Sequence, residues 1–148
     1  MTEQHNKDLV DEQAIRVAER IYHEWDEALG ARDVDAAIAL YAPKCSLESP
    51  LVRHLLSSEE GVVSGREKLR EFVRLVFDHQ PAARQRYREE FFTDGRTLMW
   101  EYPRVKPGGE QQMDFVEVME IRDGLILRHR VYWGWYGNKL LQEDGHHR

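Results

Sequence analysis

The chain has 148 residues, 41% hydrophobic and 32% charged, a length and balance that predict one soluble globular domain and exclude disorder of the whole. Its formal net charge of −6 argues against a nucleic-acid partner, for which a basic stripe is expected. The single cysteine, Cys45, excludes an intramolecular disulfide and a four-cysteine zinc site, and no apolar run approaches the ~20 residues of a membrane span.

Residues 1–8 are polar, lack the apolar stretch of a signal peptide and are expected to form a flexible N-terminus, so a cytoplasmic location is expected. From 8 to 30 the apolar positions Val10, Ala14, Val17, Ala18, Ile21, Trp25, Ala28 and Leu29 recur every three or four residues, which predicts a long amphipathic helix stopped by Gly30. Asp33 is placed to cap a second, shorter helix whose apolar side is Ala37, Ile38, Leu40 and Tyr41, ending at Pro43. Lys44–Ser49 reads as a short strand. The connection from Pro50 to Ser64 is apolar for a loop, and is either a binding loop or a short helix packed on the core. Ser64 and Glu67 have the spacing of a capping box for a third helix, with Leu69, Phe72, Val73 and Val76 as its buried stripe.

After Pro81 the pattern becomes alternating. Strands are predicted at 85–93, 96–104, 110–121 and 125–136, with turns at Lys106-Pro107-Gly108-Gly109 and Arg122-Asp123-Gly124. Short turns between successive strands make them antiparallel. Helices first and an antiparallel sheet second is an α+β pattern.

The segments ALGARDVDAAIALYAPKCSLESPL, SGREKLREFV and DFVEVMEIRDGLILRHRVYWGW, in this order behind a long first helix, resemble the SnoaL-like branch of the nuclear transport factor 2-like superfamily. The resemblance covers about residues 10–136, so the domain is set at 9–136 with a tail at 137–148. It implies a cone-shaped fold: three N-terminal helices packed on a strongly curved antiparallel sheet, around a mostly apolar pocket. It also implies a homodimer through the outer sheet face. The same cone hosts ketosteroid isomerases, polyketide cyclases, dehydratases and epoxide hydrolases, so chemistry has to be argued from the site.

Carried over residue by residue, the resemblance gives a mixed result. Ser49, before Pro50, occupies the position of the isomerases' aspartate base, and a serine cannot take a carbon-bound proton unaided. Trp25 stands where those enzymes carry a tyrosine donor, and Glu117 where they keep a protonated aspartate, a pair that serves as a general example of an oxyanion hole. The epoxide hydrolases' catalytic positions are matched by Tyr102, Arg104 and Val131, none of which retains the required group.

What remains is His129 with Glu117. Leu127, His129, Val131 and Trp133 share one strand face, and Met113, Phe115, Glu117 and Met119 share another. A three-residue loop over Arg122-Asp123-Gly124 pairs Glu117 directly with His129 and gathers the apolar residues on one face. A two-residue Asp-Gly turn instead puts His129 opposite Val118. If the two meet, the carboxylate fixes the imidazole tautomer and leaves the other nitrogen as acid or base; a buried pair that only orders the core is the competing reading. Tyr22, Trp25, Leu47, Ser49, Trp100, Tyr102, Phe115, Val131 and Trp133 are the expected pocket residues. Arg84, Arg86 and Arg88 read as a solvated or dimer-facing strand beside Glu89 and Glu90, and His146 and His147 as part of a flexible tail. The histidine spacings match no metal motif, so neither metal nor cofactor is expected. Two functions stand side by side. One is a cofactor-independent isomerase, cyclase or dehydratase acting on a small, apolar, oxygenated molecule. The other is a ligand-binding or dimerisation module of the same fold.

Overall fold

A computed structural model of the chain describes residues 2–79, 90–105, 108 and 111–143. The order of elements is α1 (Thr2–Ala31), α2 (Val34–Ile38), β1 (Tyr41–Glu48), α3 (Pro50–Leu56), β2 (Val62–Ser64), α4 (Arg66–His79), β3 (Phe92–Thr93), β4 (Thr97–Val105), β5 (Gln111–Arg122), β6 (Leu125–Trp133) and α5 (Trp135–Glu143). The six strands form one curled sheet in the order β2-β1-β6-β5-β4-β3. The fold is the α+β class expected. The pairs are antiparallel except β1 with β6, which run parallel.

Helices α1, α2 and α4 are the three expected. Their apolar stripes meet the sheet in one core that includes Ala18, Ile21 and Trp25 from α1 and Leu69, Phe72 and Phe77 from α4. Asp33 caps α2 as expected, its Oδ1 accepting from Ala36 N at 3.0 Å. Helix α1 begins at Thr2, earlier than the periodic stretch, and ends past Gly30: Arg32 takes the left-handed turn at φ 55°, and Asp33 N returns to Ala28 O at 2.9 Å. The capping box at Ser64 does not form. Ser64 belongs to β2, and Gly65, at φ 86°, gives its carbonyl to Leu69 N as the first bond of α4.

The connection after Pro50 resolves as the packed-helix alternative. Ser49 caps α3 with its hydroxyl, and Pro50 fills the first helical position, where a missing N–H costs nothing. A fifth helix follows β6, which stops at Trp133 rather than 136. Helix α5 packs on β5, β6 and α3. Residues 85–89 of the first expected strand, including Arg86 and Arg88, lie outside the described residues, as do Arg84, His146 and His147. No helix among the described residues is long and apolar enough to cross a membrane.

Candidate functional site

The β5–β6 hairpin decides where Glu117 and His129 lie. Its turn is the two-residue Asp123-Gly124 form, both residues left-handed at φ 51° and 77°, with Arg122 facing Leu125. Such a turn matches the strand twist but by itself would turn His129 to the far side. A bulge corrects this. Ile121 faces Ile126 while Glu120 faces Arg128, so Leu127 is the extra residue. The three-residue loop, favoured by the apolar alternation, is therefore wrong, and so is the direct pairing. His129 faces Met119, and Glu117 faces Val131. The two residues are diagonal neighbours on one face, within reach of a long side chain. His129 Nε2 and Glu117 Oε1 are 2.8 Å apart, and each residue is 2% exposed. The bulge also places Ile126 rather than Leu127 in the core.

The second imidazole nitrogen, expected to be free as acid or base, is instead engaged within the core. Tyr41 Oη lies 2.7 Å from His129 Nδ1, with the two rings stacked at a centroid distance of 6.0 Å. The sequence pattern assigns Tyr41 to the second helix. In the structure it opens β1, just before an irregular stretch in which Tyr41 pairs with Ile126 and Ser46 with Arg128. Arg66 of α4 secures this stretch, both its Nε (2.8 Å) and Nη2 donating to the Tyr41 carbonyl. The side chain of Trp25 hydrogen-bonds Tyr41 as well. An indole nitrogen can only donate, so the bonds run in one direction. Trp25 donates to Tyr41, Tyr41 donates to His129 Nδ1, and His129 Nε2–H donates to Glu117 Oε1. This is the tautomer that satisfies every partner. Burial holds the Tyr41 phenol well above the ordinary range; the Trp25 bond opposes that shift, and the nearby Glu117 and Cys45 add to it.

The chain of bonds ends on a carboxyl group with one oxygen to spare. Glu117 Oε2 is buried and has no hydrogen-bond partner among the described residues. A buried polar atom left without a partner is costly and calls for an explanation, a catalytic role being one. Glu117 lines a cavity of about 100 Å³ between the sheet and helices α1, α2 and α4. Of the residues expected around a pocket, Trp25, Leu47, Ser49, Tyr102, Val131 and Trp133 line it. Three others are buried elsewhere. Tyr22 packs on Phe91 and Trp100, with centroids at 4.8 and 5.2 Å. Trp100 backs Trp25 at 5.3 Å. Phe115 lies between Tyr102 and Trp133, at 4.5 and 4.7 Å. The wall also contains Tyr41, Phe72, Val73 and Phe77. Among the described residues no group of three or more His, Cys, Asp or Glu is placed to hold a metal ion.

The model of the SnoaL-like domain matches residues 22–129. Three solved structures share the fold. A SnoaL-like protein of unknown function from Burkholderia thailandensis has a TM-score of 0.65 at 18% identity, covering 80% of this chain and 95% of its own. A nuclear transport factor 2-like protein from Anabaena variabilis has a TM-score of 0.63 at 16% identity, covering 82% and 89%. A protein from Kribbella flavida, provisionally named a ketosteroid isomerase, has a TM-score of 0.57 at 21% identity, covering 80% and 78%. No curated protein matches the sequence.

Proposed function

The chain belongs to the SnoaL-like domain family, and we propose that it is a small-molecule enzyme of that family in which Glu117 moves a proton to and from a carbon beside a carbonyl group. The observation that carries this reading is the spare oxygen. Glu117 Oε1 is held by His129, while Oε2 is buried, without a partner, on a residue that lines the cavity. Ionised, Oε2 accepts a proton; protonated, the same oxygen gives it back.

The roles within the pair are then reversed from those the sequence suggested. His129 has both nitrogens engaged and acts as a positioning residue. It fixes the carboxylate rotamer, and Tyr41 and Trp25 fix the imidazole in turn. Such support keeps a reacting group in a productive geometry. Proton transfer of this kind needs a base, a donor for the carbonyl oxygen and little else, which suits isomerisation, dehydration or aldol-type cyclisation.

The test is hydrogen exchange in D₂O. The protein should speed deuterium uptake at the carbons flanking the carbonyl of cyclohexanone, read by proton NMR, and Glu117→Gln should lower that rate by ~10²–10⁴-fold. Cyclohexanone that binds without exchanging would instead favour a ligand-binding module.

A further inference from the structure

We infer that Ser49 holds the substrate's carbonyl oxygen and that the substrate is a ketone whose enclosed part is no larger than a single ring. This rests on the reading of Glu117 as the base. In the parallel ladder Leu47 stands level with His129, and Glu48 with Arg130. Ser49 follows the last paired residue with its backbone still extended, so continuing the ladder brings it level with Val131, which pairs on its other side with Glu117. All three line the cavity. Ser49 and Glu117 thus stand on either side of Val131, two strand spacings or roughly 10 Å apart at the backbone. That span suits a carbon-bound hydrogen at Glu117 Oε2 and the neighbouring carbonyl oxygen at Ser49 Oγ.

Ser49 is equipped for this. It is 5% exposed, and its Oγ accepts from Leu51 N at 3.1 Å. A hydroxyl that accepts still has its own proton to give. The loss of the aspartate at this position is then a change of role: the donor sits at Ser49 and the base at Glu117, on opposite sides of the ligand.

Size sets the rest of the class. The cavity is about 100 Å³. A cavity of about 150 Å³ holds a benzene ring, whereas drug-sized ligands occupy roughly 300–1,000 Å³. The enclosed space is smaller than the one that holds benzene, so it takes at most one small ring, and the rest of a four-ring ligand would have to lie outside it. The lining among the described residues contains no lysine or arginine and does contain the Glu117 carboxyl group, so an acidic ligand is also disfavoured.

In the step itself, Glu117 Oε2 takes the proton from the carbon next to the carbonyl. The C–H electron pair becomes the new C=C bond, and the C=O π pair moves to oxygen, where the Ser49 hydroxyl donates to it. Return of the proton to the same carbon, or to the far end of a conjugated system, restores Glu117. Nothing is oxidised or reduced.

The experiment compares cyclohexanone with the four-ring ketone androstanone in the D₂O exchange assay. The wild type should exchange cyclohexanone only. Ser49→Ala should lose about 10²-fold or more, the usual cost of an oxyanion donor, and Ser49→Thr should keep most of the rate. Because Ser49→Ala also removes the α3 cap, Ser49→Gly serves as the second variant: glycine is a well-tolerated helix cap but has no side-chain proton to donate, and it too should be slow. Exchange at the wild-type rate in both Ser49→Ala and Ser49→Gly, or androstanone exchanging as fast as cyclohexanone, overturns the inference while leaving Glu117 as the base. If the wild type exchanges neither ketone, the base reading fails, and binding decides the inference. Cyclohexanone shifting the Trp25 indole N–H signal, with affinity about tenfold weaker in Ser49→Ala, upholds it. No binding overturns it.

Discussion

His129 lines the cavity beside Glu117 but engages both ring nitrogens with buried neighbours, which leaves the second carboxylate oxygen as the unengaged polar atom of the pair. The alternation of apolar residues made it legible that Glu117 and His129 face inward. The role of Tyr41 was not legible, because in AAIALY it falls in phase with a helical stripe. Only the irregular pairing of β1 with β6 brings its phenol to the imidazole. Tyr41 carries a testable pH dependence. Its folded pKa is raised, so above the unfolded tyrosine value of ~10 the unfolded chain releases a proton that the folded one keeps. Stability contributed by this group is present below pH ~10 and declines above it, by up to ~1.4 kcal/mol per pH unit. Urea denaturation between pH 9 and 11 should show a steeper loss in the wild type than in Tyr41→Phe. Parallel curves would mean that Tyr41 is not held as described.

At the level of elements, the hairpin shows how a local rule and a tertiary demand are reconciled. Asp-Gly selects the two-residue turn, and a bulge at Leu127 then restores the face that the core requires. Sequence alternation carries the final face but not the two compensating shifts that produce it. Helix α5 was equally hidden, because its anchor lies in another strand. Asp114 of β5, 5% exposed, accepts from Gly137 N at 2.5 Å and so serves as the cap of α5 from outside the helix. Gly134 permits this, since a Cβ there would lie 2.3 Å from Asp114 Oδ1. Gly134→Ala should therefore displace the carboxylate and destabilise the fold by roughly 1–3 kcal/mol, the range for overpacking. The Gly137 amide should exchange faster with solvent. An unchanged denaturation midpoint with an unchanged Gly137 exchange rate would contradict this account of the helix.

Over the whole molecule, the cone was legible because its elements follow one another in a fixed order, with long periodic helices before long alternating strands. The face away from the helices carries one cross-strand row through all six strands: Val62, Glu48, Arg130, Val118, Met99 and Phe92. Tyr132 on the same face is 54% exposed, and Arg130 Nη1 bonds Glu120 Oε2 at 2.5 Å, holding that carboxyl below its usual range. A row of four apolar residues that also carries the opposite charges of Glu48 and Arg130 suits a self-complementary two-fold contact. Light scattering at micromolar concentration is expected to report a homodimer, and a monomer would refute it.

The central claim is the proposed contact of the ligand's reacting carbon with Glu117, rather than with His129, which lines the cavity beside it. It is tested most directly by NMR of protein carrying ¹³C in its glutamate carboxyls and ¹⁵N in its histidine rings, with cyclohexanone added. The predicted result is a shift of the Glu117 carboxyl signal while His129 keeps its proton on Nε2 and its bond from Tyr41. Cyclohexanone that perturbs the His129 ring nitrogens and leaves the Glu117 carboxyl unmoved would contradict it.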